Sequence, residues 1–227
     1  MSIDLLSKML SIIMLNLVLS GDNAVVIALA TRKLDPEQCK KAIFIGTAGA
    51  VVMRVLLMLV AIELLAIPFV KIIGSLCLLY IAYDLLKSNN DDEEEAVKSQ
   101  ASFAAAIRTI IIADLVMSLD NVLAIAGVAD GAFSLAVFGL IISIPIVVFC
   151  SQLIIKLMDR FPFLIWVGAI LIAYTAGNMI IEDPFFEHFV DHIVPNISHT
   201  HVIPFLFCLV LVGINFVASR MRRQNLA

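Results

Sequence analysis

The chain has 227 residues and a formal net charge of −4, with 62% of its residues apolar and 15% charged; an ordinary soluble domain has about 45–50% apolar and about 25% charged. That balance excludes a water-solvated globule, because the few charges cluster between long apolar stretches and leave no polar exterior for a core. Lipid is the expected solvent, and without a basic stripe no nucleic-acid partner is expected.

In chain order, apolar runs long enough to cross about 30 Å of hydrocarbon fall near residues 10–30, 42–62, 66–86, 106–128, 133–155, 163–181 and 202–219. The expected fold is therefore an all-α integral membrane protein with seven transmembrane helices. Lys8 ahead of the first run resembles the start of a signal peptide. Asn16, Asp22 and Asn23 interrupt that run, however, and no small-residue cleavage pattern closes it, so a mature helix is expected. Residues 88–102 read as an acidic cytoplasmic linker, since Asp91, Asp92, Glu93, Glu94 and Glu95 cannot bury themselves. Residues 182–201 read as a solvated extracytoplasmic loop that holds His188, His192, His199 and His201 beside Glu182, Asp183, Glu187 and Asp191. His188 and His192 have helical metal-ligand spacing, which by itself is a weak signal. Cys39, Cys77, Cys150 and Cys208 stand far apart and read as packing residues, not as a disulfide framework or a thiolate metal site.

Basic residues avoid translocated loops. With Arg220, Arg222 and Arg223 in the cytoplasm, seven crossings put the amino terminus outside. Twelve of the fifteen Lys and Arg then lie inside, Lys8 and Lys71 lie outside, and Arg54 falls within a helix.

Two segments are alike: NLVLSGDNAVVIA at 16–28 and DLVMSLDNVLAIA at 114–126 match at an offset of 98, including Ser20/Ser118, Asp22/Asp120 and Asn23/Asn121. A weaker echo at an offset of 94 pairs Phe44/Phe138, Gly74/Gly168 and Tyr80/Tyr174. The expected organisation follows: a first repeat over 1–87, the linker 88–102, a second repeat over 103–181, the loop 182–201, and a seventh helix with a basic tail over 202–227. Three crossings per repeat would turn the second copy upside down, giving two inverted three-helix repeats plus a seventh helix. Such a repeat brings both SxDN motifs to half depth, where secondary transporters bind their cargo.

A carboxylate near the bilayer centre costs about 2.5–3.5 kcal/mol on insertion scales, so Asp22, Asp114 and Asp120 call for a reason. Static packing between helices is the bland one. Their recurrence beside Asn and Ser favours a site. On an unbroken helix Asn16, Ser20 and Asn23 share one face, as do Asp114, Ser118 and Asn121, while Asp22 and Asp120 fall roughly 100° away. Gly21 would let the first helix open at its motif. The candidate metal ligands are thus Asp22, Asp114, Asp120, Asn16, Asn23, Asn121, Ser20 and Ser118. All are oxygen donors, which suit Mg²⁺, Ca²⁺ or Mn²⁺ better than zinc or copper.

Arg54 lies about 18 Å along the second helix from Ala42 at about 1.5 Å per residue, too deep to snorkel, and needs an acidic partner. It is either a resident counter-ion that holds a site carboxylate when no metal is bound or half of a static pair with Asp84 or Asp114. Gly46, Gly49 and Ala50 form a small-residue patch that would admit a close neighbour.

The pairing of LVLSGDNAVVIALA (17–30) with ADLVMSLDNVLAIAG (113–127) resembles the TerC integral membrane family in its YjbE-type branch, over nearly the whole chain. The resemblance implies a relative of the LysE-type transporter fold in a bacterial cytoplasmic membrane, with manganese export for several members. It carries the family's acidic positions onto Asp22 and Asp120, with Asn23 and Asn121 beside them and Asp114 ahead of the second motif. Many relatives have an acidic residue where this chain has Asn16, which leaves its first motif one charge weaker.

The function expected is export of a divalent cation, Mn²⁺ before others, by alternating access around the two motifs, with no tightly bound cofactor. A Ca²⁺/H⁺ or other cation antiporter and a non-transporting stress-resistance partner protein are the alternatives, and a homo-oligomer is left open. No Ser/His/Asp set or HExxH stands in the apolar segments, so no enzyme is expected. The last apolar run has no Lys for a retinal Schiff base.

Overall fold

The structure, a computed structural model, describes residues 14, 21–65, 67, 69–90, 99–129, 133–193 and 200–225. Among these, eight α-helices follow one another: α1 (Gly21–Thr31), α2 (Pro36–Leu65), α3 (Val70–Asn90), α4 (Ser99–Ala129), α5 (Phe133–Arg160), α6 (Phe163–Ile181), α7 (Pro184–Ile193) and α8 (Val202–Asn225). Asn16, Ser20, His199 and the acidic run Asp91 to Glu95 lie outside the described residues.

The seven-span expectation, with its inverted three-helix repeats, does not hold for the described helices. Three of them are long and apolar enough to cross a membrane, through Pro36–Val60, Val137–Arg160 and Phe163–Ile181. Charge and length account for the difference. Helix α3 has Lys71 at one end and Asp84 and Lys87 at the other, and α4 carries Arg108, Asp114 and Asp120 along its length. Helix α1 is described over 11 residues, and the apolar part of α8, Val202–Ala218, is shorter than a full span. An apolar surface nonetheless runs over the molecule: Phe44, Leu59, Phe149 and Leu209 are each more than 60% exposed. Side chains of this size, so numerous and so open, suit lipid and not water.

The helices fall into two compact units, one holding α1, α2, α4 and α5, the other α3, α6, α7 and α8. In the first unit, Asp35 and Pro36 open α2 in the cap and first-turn positions that favour those residues. The small-residue patch then lets α2 approach α4 closely. A Cβ added at Gly46 would stand 2.7 Å from Ile110 Cδ1, and one at Gly49 2.8 Å from Ile111 Cδ1. Ala24, Ile27, Ile43, Ile110 and Val147 close the core beside this contact. Three buried hydroxyls are satisfied within their own helices: Thr31 donates to the Ile27 carbonyl, Ser143 to Leu140 and Ser151 to Val147, at 2.7–2.8 Å.

Gly46→Ala is expected to destabilise the first unit by about 1 kcal/mol, because the obstructing atoms belong to an Ile110 side chain that is itself fully packed. Gly21→Ala, with nothing within 4 Å of the added methyl, is the matched control. Denaturant unfolding in detergent would show the difference, and equal stabilities would mean that α2 and α4 do not approach this closely.

In the second unit, Leu78, Leu86, Ile172, Ala173 and Leu211 are buried. Ser75 donates to the Ala176 carbonyl at 2.6 Å and ties α3 to α6. Gly177 of α6 meets Pro204 of α8 with no room for a side chain between them. At its far end α6 stops because Pro184 has no N–H to donate and would clash with the carbonyl four residues back. Asp183, 3% exposed, turns its carboxylate onto the N–H groups of Phe185 and Phe186 and caps α7. Residues 184–193, expected within a loop, are thus a helix.

Candidate functional site

Three helices of the first unit converge on one carboxylate. Helix α1 supplies Asn23, α2 supplies Arg54, and α4 supplies Asp114 together with Ser118 one turn later. Arg54 Nη2 donates to Asp114 Oδ1 at 2.6 Å, a buried ion pair whose side chains are 4% and 12% exposed. Asn23 Nδ2 donates to the same oxygen at 2.9 Å. Arg54 Nε donates to Ser118 Oγ at 2.8 Å, and Ser118 in turn donates to Asp114 Oδ2 at 3.3 Å. The spacing of Asp114 and Ser118 puts them on one helix face, which is why one hydroxyl can bridge the guanidinium and the carboxylate.

Asp22 sits beside this network and not within it. It is half-buried, its Oδ1 accepts the Asn23 backbone N–H at 2.9 Å, and Arg54 and Asp114 both act on it electrostatically. Among the described residues, two carboxyl groups face one guanidinium in a low-dielectric setting. A second imbalance lies in the hydrogen bonding. Asn23 is 4% exposed, and its Oδ1 has no donor. An acceptor oxygen buried without a partner is costly and marks a place where a positive group fits.

Of the residues expected at the site, the structure thus brings Asn23, Asp114, Ser118 and Arg54 into contact, with Asp22 adjacent. Of the two acids considered for Arg54, Asp114 holds it. Asn121 is half-buried one turn beyond Ser118 on α4. Asp120 is described only as a position on α4, and the placement of its side chain, like all of Asn16 and Ser20, lies outside the described residues. Among the described residues no three of His, Cys, Asp and Glu come together as a metal-binding group. A cation at this place would therefore meet a mixed set of carboxylate and amide oxygens.

Thr47 was not anticipated. It is 4% exposed, its hydroxyl has no partner, and it lies two turns before Arg54 on α2. Its spacing from Arg54, which returns it to the same helix face, is the signal in the sequence that could have found it.

Apolar helices exposed to lipid and a charged cluster sealed among them define a multi-pass membrane protein with an intramembrane polar centre. The whole chain, residues 1–227, matches the model of the integral membrane protein TerC family, and it belongs to that family. It is similar to the uncharacterized membrane protein YjbE of Bacillus subtilis, with 47% identity over 180 residues, or 79% of this chain and 82% of that one. The uncharacterized membrane protein YkoY of the same organism is 32% identical over 187 residues, 71% of this chain and 58% of that one. The inner membrane protein YgdQ of Escherichia coli K12 is 29% identical over 183 residues, 70% and 77% of the two chains. No solved structure matches.

Proposed function

We propose that this protein is a transporter that exports a divalent cation, Mn²⁺ before other ions, by alternating access around its two SxDN motifs. One observation supports this reading above the rest. Asp114 is held at once by Asn23 from the first motif, by Ser118 from the second and by the buried Arg54. A packing carboxylate needs one partner; this one gathers both motifs around a charge pair. The unpartnered Asn23 Oδ1 and the half-buried Asp22 supply further hard oxygens beside it.

In this mechanism Arg54 is the resident counter-ion. It neutralises Asp114 while the site is without cargo, and it withdraws when a divalent ion arrives, since guanidinium and metal cannot share one carboxylate without repulsion. The exchange keeps the buried charge nearly constant, which lowers the barrier to moving the site between the two sides. The basic tail with Arg220, Arg222 and Arg223 faces the cytoplasm, and the amino terminus lies outside.

Metal flux into proteoliposomes, read with an entrapped Mn²⁺-sensitive dye, tests this reading. Asp22→Asn and Asp120→Asn are each expected to reduce flux to the level of empty vesicles while the protein still inserts. Undiminished flux in both variants would refute the proposal. A panel with Ca²⁺ and Mg²⁺ in the same assay separates a manganese exporter from a calcium antiporter.

A further inference from the structure

Helix α7 has no part in the polar centre, and its surface is unlike that of any neighbour. None of its residues is buried. Phe185, Phe189 and Ile193 recur every fourth residue and are 57%, 55% and 64% exposed. At about 100° per residue they form one flank, Phe186 and Val190 form the next, Glu187 and Asp191 stand opposite, and His188 and His192 border the apolar flank on its other edge. Phe186, Glu187, Val190 and Asp191 are all half-buried, so the helix leans on its own unit by that side, while Phe185, His188, Phe189, His192 and Ile193 are exposed. Two directions are therefore distinct: a side that rests on protein, and an uncovered apolar flank bordered by His188 and His192.

The position of α7 identifies what covers the apolar flank. Helix α6 is one of the membrane-length helices, and α7 begins directly after its end, at a bend set by Pro184 and the Asp183 cap. A chain that leaves a membrane span at a fixed bend does so at the bilayer surface. Polar contacts mark the same level: Lys71 Nζ donates to Glu182 Oε2 at 3.3 Å. Phe69, at the start of α3, meets Phe185 edge-on with ring centroids 4.8 Å apart, so the apolar flank of α7 continues that of its unit. Continuity with lipid-facing surface at a span's end points to the bilayer itself.

We propose that α7 is an interfacial helix, lying in the plane of the membrane with Phe185, Phe189 and Ile193 inserted among the headgroups and upper acyl chains and with His188 and His192 at its water edge. A short helix whose exposed side joins an apolar flank to a polar edge is stable in that position and in few others. The insertion ties the connection between α6 and α8 to the membrane surface.

The chain has one tryptophan, Trp166, so a single reporter can be moved. In a Trp166→Phe background, Phe189→Trp and His188→Trp place it on the apolar flank and at the water edge in the full-length protein. Each variant is reconstituted in phosphatidylcholine and phosphatidylglycerol vesicles whose lipids are brominated either near the headgroup or near the chain end. The tryptophan at 189 is expected to lose about half of its emission or more to headgroup-proximal bromine and little to aqueous iodide, and the one at 188 to show the reverse. Iodide quenching at both positions would place α7 in water and overturn the proposal. So would silence of the 189 reporter to both quenchers, which would mean that protein covers the flank, or stronger quenching by chain-end bromine, which would put the helix too deep.

Discussion

Arg54→Met is expected to cost about 3–5 kcal/mol of stability, the range found when one partner of a buried ion pair is removed. The cost arises mainly from what is left behind. Asp114 would keep its place between α1 and α4 with only the Asn23 amide and the Ser118 hydroxyl to compensate a full charge. Ser118 would also lose the donor that now approaches its oxygen at 2.8 Å. The double variant Arg54→Met, Asp114→Leu removes both charges and is expected to recover most of the loss, since apolar replacements of buried pairs are often neutral. Unfolding in detergent, followed by labelling of the native Cys39, Cys77, Cys150 and Cys208, measures all three proteins. A single variant as stable as the parent would mean that Arg54 does not pair with Asp114 in the membrane. Flux separates structure from mechanism here: a double variant that is stable but silent in transport would show that the pair serves the cargo and not only the fold.

Gly177→Ala carries the second large effect, in the other unit. The added methyl would lie 2.4 Å from Pro204 Cα, 3.1 Å from Pro204 N and 3.3 Å from the Ile203 carbonyl oxygen. All three are backbone atoms, so no side chain can rotate away, and α8 must back off from α6 or the methyl cannot be accommodated. A loss of about 1–3 kcal/mol or more follows, as for overpacking in general. Gly213→Ala is the control, because nothing lies within 4 Å of its added methyl and alanine favours a helix. The expectation fails if Gly177→Ala and Gly213→Ala unfold together.

The polar centre was partly legible before any coordinates. The shared face of Asp114 and Ser118 follows from helical spacing alone, and their hydrogen bond realises it. Arg54 announced a need for an acid through its depth in an apolar run, yet Asp84 and Asp114 were equally acidic and the choice between them was not written in either residue. Asn23 reaching across to Asp114 was out of view for the same reason: 91 positions separate the two, and nothing local encodes which helix faces meet.

Spans were misjudged where hydropathy and charge compete. The apolar runs at 66–86 and 106–128 include Lys71, Asp84 and Arg108, and in the unbroken helices α3 and α4 these charges interrupt the apolar stretch. Residues 184–193 have the composition of a solvated loop, with Pro184, acids and histidines and no long apolar run. An amphipathic helix needs those same polar residues on one flank, and Pro184 and Asp183 are the residues that start it.

From sequence alone, then, came the solvent of this protein, the presence of costly intramembrane charges, and the twinned motif that concentrates them. Each is a property of single residues or of near neighbours along a helix, and transfer free energies add residue by residue. Tertiary structure alone decided that α3 shares a unit with α6 and α8, that Arg54 closes on Asp114, and that α7 exists at all as a two-sided helix. Those outcomes depend on which surfaces fit together across the chain, and close packing between distant segments leaves no mark at any one position.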